Sequence, residues 1–359
     1  MRKSYLEKIK ETLRGKQICI YPMGTAGKYM RDQLQKLGVE VSYFSDSNPD
    51  LWNTQYEGIT CLPPEKLCGI DELSVIVESK YYHEIKERLL ALGIININRF
   101  FLEKIEREHY LLRNKQEVEQ KVNDVLAICE DKKSKNVYNH IIESWYAEDI
   151  NEDWFEKICS EDQYFDSDII QLKDNEVFVD AGAYIGDTAA EFLKACKGRF
   201  EKLYLFELDP EIYVSLKNNM KEMLPDGKYE CYPYGVSNKD DIVSISCGDR
   251  NSAILAGKGK HEKQNEVLCK KLDDVLKNKR ITFIKMDVEG AELQALEGAQ
   301  TIIKEQKPTL AICIYHSAND FVNIPLYIKS LVPEYKIFIR HYTTEMYETV
   351  CYAICAGRK

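Results

Sequence analysis

No stretch of this sequence is both apolar and long enough to span a bilayer as a helix. The opening MRKSYLEKIKETLRGK reads as a charged amphipathic helix without the apolar run of a signal peptide, so a soluble, cytoplasmic protein with no membrane partner is expected. No CxxC pair occurs among the 12 cysteines, which argues against a zinc or disulfide framework. The cysteines are scattered, and Cys19, Cys313, Cys351 and Cys355 fall inside apolar strand runs, where the thiol acts as a small hydrophobe. Reduced, structural thiols follow, as in a cytoplasmic protein. A basic excess is missing too. With 49 Lys and Arg against 59 Asp and Glu the net charge is −10, which removes nonspecific binding to nucleic acid or to an anionic membrane. The chain of 359 residues, 44% of them hydrophobic, is long enough for two domains with real cores.

What is present is organised around residues 177–188, VFVDAGAYIGDT. Val177, Phe178 and Val179 make the apolar run of a doubly covered parallel strand, with Asp180 at its carboxyl end. Gly182 and Gly186 permit a tight reversal and close approach of a ligand to the backbone. Asp187 and Thr188 open a helix over residues 189–195, completing a strand, nucleotide loop and helix. The acid before the glycines narrows the ligand, because a carboxylate there repels the pyrophosphate of a dinucleotide. S-adenosylmethionine carries an ammonium and a sulfonium and no phosphate, so Asp180 attracts it, directly or through water. A second strand, residues 203–206, ends in Glu207, placed to take both ribose hydroxyls about 20 residues past the loop. Together Asp180, Gly182, Tyr184, Gly186, Thr188, Glu207 and Leu208 are the expected cofactor residues.

These stretches resemble the FkbM-type methyltransferases. The resemblance rests on VFVDAGAYIGDT, on YLFELDP (204–210), on FIKMDVEGAELQALEGA (283–299) and on KPTLAICIYHS (307–317), and it spans about residues 164–354. It implies a class I methyltransferase Rossmann-like sheet, parallel with a terminal antiparallel strand. It also implies S-adenosyl-L-methionine as cofactor and methylation, commonly of a hydroxyl on a sugar or natural product.

In chain order, residues 17–21 predict a strand, Gly24 to Gly27 a turn, residues 28–37 a helix closed by Gly38, and residues 39–44 a second strand followed by Asp46 at the ribose position. A strand over 73–77 and a helix over 82–92 complete a small Rossmann-like α/β domain, residues 1–100. A P-loop is excluded because its first glycine falls on Pro22. Either a nucleotide or nucleotide-sugar site, or a scaffold that supports homo-oligomerisation, fits this domain. Residues 101–160 predict a helical connector, with apolar Ile105, Leu112, Val118, Val122 and Val125 at helical spacing and DKKSK (131–135) as a solvated turn. The methyltransferase domain is then 161–359. Tyr164 and Phe165 either cap the cofactor pocket or pack an entry helix.

Further on, a helix over 213–223 and a strand over 229–232 lead to Gly235 and Val236 at the adenine edge. An added edge strand over 242–246, a polar loop over 250–255, a strand over 281–286, a helix over 291–304, a strand over 310–315 and a hairpin of 336–340 with 349–354 are expected. Ligands of open parallel sheets bind beyond the strands' carboxyl ends, which gathers Asp180, Glu207, Asp287, His316, His341 and Glu348 at one rim. Methyl transfer is an in-line displacement that needs a proton taken from a weakly acidic hydroxyl. Asp287, Glu289 and His316 are the candidate catalytic residues, with a hydroxyl held between Asp287 and His316; Lys285 and Glu292 only stabilise the turn. A metal-free base is favoured over a divalent ion held by Asp287 and Glu289, since no third oxygen ligand is evident. Two other function classes stay open: a nucleotide-dependent sugar-modifying oxidoreductase or epimerase using the first domain, and a noncatalytic adenosylmethionine-binding protein.

Overall fold

The computed structural model describes residues 4–79, 81–148, 150–151, 153–246 and 264–355. The loop expected over 250–255 lies outside them. The chain divides into two compact units, Met1–His109 with Glu143–Trp154, and Tyr110–Ile142 with Phe155–Lys359. The expected connector is therefore no unit of its own: the division falls inside the helices Glu103–Ile128 and Lys132–Tyr146. The reason is burial. Val118, Val125, Tyr138 and Trp145 are all fully enclosed, so these helices belong to cores. Asp131, expected in a solvated turn, directly precedes Lys132–Tyr146 and pairs with the Arg340 guanidinium at 2.7 Å.

The first unit holds a six-stranded sheet. Gln17–Tyr21 lies at its centre, parallel to Tyr43–Ser45 on one side and to Leu73–Val77 on the other. The strand expected over 39–44 shrinks to those three residues. The expected GTAG turn is instead the start of the helix Thr25–Lys36, and Gly27 is needed there because a Cβ would come within 2.0 Å of the Pro22 carbonyl oxygen. Asp46 accepts the N–H groups of Met23 (3.0 Å) and Asn48 (2.8 Å), so its carboxylate ties two loops together.

The second unit is built on seven strands, β1 Val177–Ala181, β2 Lys202–Phe206, β3 Tyr229–Tyr232, β4 Phe283–Met286, β5 Thr309–Cys313, β6 Lys336–His341 and β7 Thr349–Ile354. Their order across the sheet is β6-β7-β5-β4-β1-β2-β3, and β7 alone runs against the others. Apolar runs such as the fully buried β1 suit a sheet covered on both faces. On one face Phe178 of β1 stacks on Phe192 at 4.7 Å, with Phe165 and Phe283 edge-on. Fully burying each such ring stabilises by about 1.5–3 kcal/mol, before packing geometry is counted. Phe165 is thus core.

Three local expectations change. Residues Asp241–Ser246 do not extend the main sheet; they pair antiparallel with Gln264–Lys270 in a separate three-stranded sheet with Gly235–Val236, drawn there by the longer ladder that Gln264–Lys270 offers. The helix expected over 291–304 splits into Glu292–Glu297 and Gln300–Gln306 beside Gly298, whose missing Cβ would lie 2.0 Å from the Ser237 carbonyl oxygen. No element is expected from the sequence over Ala318–Leu331, which is a helix with Pro325 inside it. Ser317 caps that helix, accepting from Asp320 N–H at 3.0 Å and donating to its carboxylate at 2.7 Å.

Candidate active site

The rim at the carboxyl ends of the strands is assembled by short connections. After β1 the chain turns through Gly182 at φ +79°, and a Cβ there would stand 1.8 Å from the Asp287 carbonyl oxygen. Only glycine lets the loop after β1 and the loop after β4 touch. Gly186, at φ +90°, then starts the helix Asp187–Ala195, with its own missing side chain facing Leu216 and Met220.

Asp180 lies elsewhere than expected. It is completely buried, with Lys285 Nζ at 3.0 Å, and it does not line the cavity. Register explains this, since Lys285 of β4 and Asp180 of β1 are Cα partners on adjacent strands. Burial pushes the Asp180 carboxyl up to about 6, with Lys285 pulling it back. Lys285, expected to be a mere turn residue, donates to the Gly182 carbonyl at 2.7 Å and lines the cavity.

Glu207 follows β2. One carboxylate oxygen accepts Tyr184 N–H at 2.9 Å and the other accepts Asp209 N–H at 2.8 Å. Burial pushes its pKa up to about 7 against those two amides. Asp209 also caps the helix Pro210–Met223, which fixes the loop that carries Glu207.

Asp287 follows β4 and collects donors. Tyr164 donates its hydroxyl at 3.0 Å and Tyr315 at 3.2 Å, and His316 Nε2 stands at 3.5 Å. Burial raises the carboxyl, but Lys285, His316 and the two tyrosines outweigh it and hold Asp287 below its usual pKa. His316 faces two further carboxylates, Glu289 at 3.5 Å and the fully buried Glu292 at 3.1 Å. Burial opposes its charge, yet Glu292, Glu289 and Asp287 together raise its pKa well above the ordinary value. Two expectations are corrected by this. Three carboxylates around His316 favour its charged form, which suits it to orienting them and works against its acting as a base. It also touches Asp287 directly, leaving no room for a hydroxyl between them.

Ligating atoms of Asp287, Glu292 and His316 lie within 4.8 Å of one another. They suit a divalent ion poorly, because the three carboxylates that raise the pKa of His316 make a proton a competitor for its ring nitrogens.

One cavity of about 440 Å³ joins these parts. Of the expected cofactor residues, Gly182, Tyr184, Thr188, Glu207, Leu208, Gly235, Val236 and Asp287 line it, and Asp180 and Gly186 do not. Glu289 and Glu348 line it; His316 stands behind them. His341 is excluded: it is fully buried, bonded through Nδ1 to Thr349 at 2.8 Å and packed on Phe155, with burial pushing its pKa down to about 4. Sequence reasoning missed Gln163, Ile212 and Tyr234 as lining residues. Tyr234 had a signal, since it directly precedes the expected adenine edge; Gln163 had none.

Residues 180–346 match the family model described as the methyltransferase FkbM domain. The second unit carries an FkbM-type methyltransferase domain. Over nearly its whole length the chain is similar in fold to an FkbM methyltransferase from Methylobacillus flagellatus, at 20% identity and a TM-score of 0.72, covering 96% of this chain and 93% of that one. An rRNA methylase from Streptococcus thermophilus aligns at 16% identity and a TM-score of 0.34, over 51% of this chain and 87% of its own. No curated protein matches the sequence. The class I methyltransferase sheet expected from the sequence is the sheet observed, with β7 as its reversed strand.

Proposed function

We propose that the methyltransferase domain transfers the methyl group of S-adenosylmethionine to a hydroxyl on a sugar, glycan or related natural product. The observation that carries this reading is Glu207: its two oxygens are fixed by backbone amides at a cavity wall, with lone pairs left to accept a pair of vicinal hydroxyls. Adenosylmethionine supplies an electrophilic methyl group on a sulfonium. Glu207 binds the ribose, and Leu208, Ile212, Tyr234 and Val236 offer apolar contact to a flat base. The loop of Gly182 gives close backbone approach, while Asp287, held ionised by its donors, favours the cofactor's positive charges. The carboxylate-rich far end, with Asp287, Glu289 and Glu348, suits a hydroxyl that must give up a proton.

For the first unit we propose a scaffold role, including self-association, because Asp46 is engaged by two amides of its own unit. Every described cysteine is free, and no helix among the described residues is long and apolar enough to cross a membrane, which suits a cytoplasmic setting. The test is calorimetry with adenosylmethionine and adenosylhomocysteine, followed by methyl-labelled adenosylmethionine with a panel of sugars, nucleotide sugars and glycans. Micromolar binding and labelled product are expected. No heat from either ligand, with heat from NADH or NADP instead, would sink the reading.

A further inference from the structure

Along the sheet's rim, the residues that line the cavity follow strand order. Glu348 precedes β7, Asp287 follows β4, Gly182 follows β1, Glu207 follows β2 and Tyr234 follows β3. With the ribose on Glu207, the cofactor's sulfonium end is directed toward Asp287, and Glu348 is the carboxylate beyond it. Glu348 sits in the left-handed region at φ +56°, its carbonyl accepting Tyr342 N–H at 3.1 Å, so its backbone is held at the mouth of the β6–β7 hairpin. The Gln163 side-chain amide donates to its carboxylate.

Carboxylate oxygens of Asp287 and Glu348 lie within 4.8 Å of one another. Two such groups do not share their environment evenly. Asp287 has both tyrosine hydroxyls and His316 Nε2 beside it, whereas Glu348 has Gln163. Glu348 is therefore the more basic of the pair, and environments that separate two carboxylates in this way separate their roles. The charged and titratable groups that face Glu348 are Asp287, Lys285, His316, Cys313, Tyr164 and Tyr315. Burial and then Asp287 push it up to about 7, with Gln163, His316 and Lys285 opposing.

Resting on the methyltransferase reading above, we propose that Glu348 is the general base that takes the acceptor's proton, with Gln163 as its positioning residue. In the step, the acceptor oxygen forms its bond to the methyl carbon as the carbon–sulfur bond breaks and its electron pair returns to sulfur. The acceptor's proton goes to the Glu348 carboxylate, and adenosylhomocysteine leaves neutral at sulfur.

The experiment compares wild type, Glu348→Gln and Gln163→Ala. Glu348→Gln should bind adenosylhomocysteine within about twofold of wild type while turnover on the panel acceptor falls by roughly 10²–10⁴. Gln163→Ala should move the acid limb of the pH–rate profile to higher pH, because the carboxylate loses its donor; a purely structural role would lower the rate and leave the limb in place. Turnover of Glu348→Gln within threefold of wild type, or an unmoved limb in Gln163→Ala, overturns the proposal. A wild type that binds no adenosylhomocysteine overturns the methyltransferase reading instead. Carbon-13 NMR of the glutamate carboxyls in the adenosylhomocysteine complex gives a readout without an acceptor. A Glu348 midpoint near 7 that rises in Gln163→Ala supports the assignment, and a midpoint below about 5 overturns it.

Discussion

Lys285 and Asp180 are Cα partners on adjacent parallel strands, and their side chains meet at 3.0 Å with almost no exposure to solvent. Removing one partner leaves a buried charge uncompensated, which costs about 3–5 kcal/mol. Asp180→Ala should lose stability on that scale in urea unfolding, and an added Lys285→Met should restore much of it. A variant that kept full stability and lost only adenosylhomocysteine affinity would put Asp180 in contact with ligand.

Glu207 carries the cofactor reading. Glu207→Ala should weaken adenosylhomocysteine by about 1–3 kcal/mol, the cost of leaving hydroxyls unpaired in a buried site. Calorimetry at pH 8, where the wild-type carboxyl is ionised, gives the cleanest comparison. An unchanged affinity would move the ribose elsewhere.

The same residue sets a pH dependence. Its folded pKa is raised from 4.5 to about 7, so in the ligand-free protein its stabilising contribution is complete below pH 4.5 and is lost as pH rises through 7. Ligand hydroxyls bind the ionised form, so affinity should climb as pH approaches 7 and level off above it. Glu207→Gln should flatten both trends. Melting curves and calorimetry from pH 5 to 8.5 will show whether it does.

His316 is assigned an orienting charge. His316→Ala should keep adenosylhomocysteine affinity nearly intact and lower turnover by roughly 10², the low end of what a positioned acid or base supplies. A chelator should leave wild-type turnover unchanged, because a metal at the cluster would compete with a proton for His316. Restoration by magnesium or manganese after chelation would reverse that assignment.

Removing residues 1–102 should keep adenosylhomocysteine binding in whatever folds, because every residue lining the cavity belongs to the second unit. It should also lower stability, since Glu143–Trp154 belongs to the first unit, where Asp153 pairs with His83 Nε2 at 3.1 Å, and Glu108 accepts Tyr5 N–H at 2.8 Å. Calorimetry and melting of the fragment test both points. A folded fragment without affinity would relocate the site.

The glycine loop, the strand alternation and Glu207 were legible because each depends on residues a few positions apart: an apolar run, a turn and an acid at the strand's tip. The fate of Asp180 was not, because its partner lies 105 positions along the chain and is reached only through parallel register. Local reading also gave His316 an ordinary imidazole. Its raised pKa comes from Glu292 and Glu289, on the loop and helix after β4, folded against it by contacts that no short window contains. Residues 318–331 carried no reading at all, and burial there holds a helix with Pro325 inside it, which local rules would break.

The strand order has one consequence for biosynthesis. β7 is the last of the seven strands to leave the ribosome, yet it lies between β5 and β6 and pairs with both. Until it inserts, β6 has no place in the sheet and Glu348 no position beside Asp287. A nascent chain can therefore form the Glu207 wall of the cavity, which follows β1, β2 and β3, well before Glu348 is in place; if Glu348 is the base proposed above, competence for chemistry arrives with the final strand.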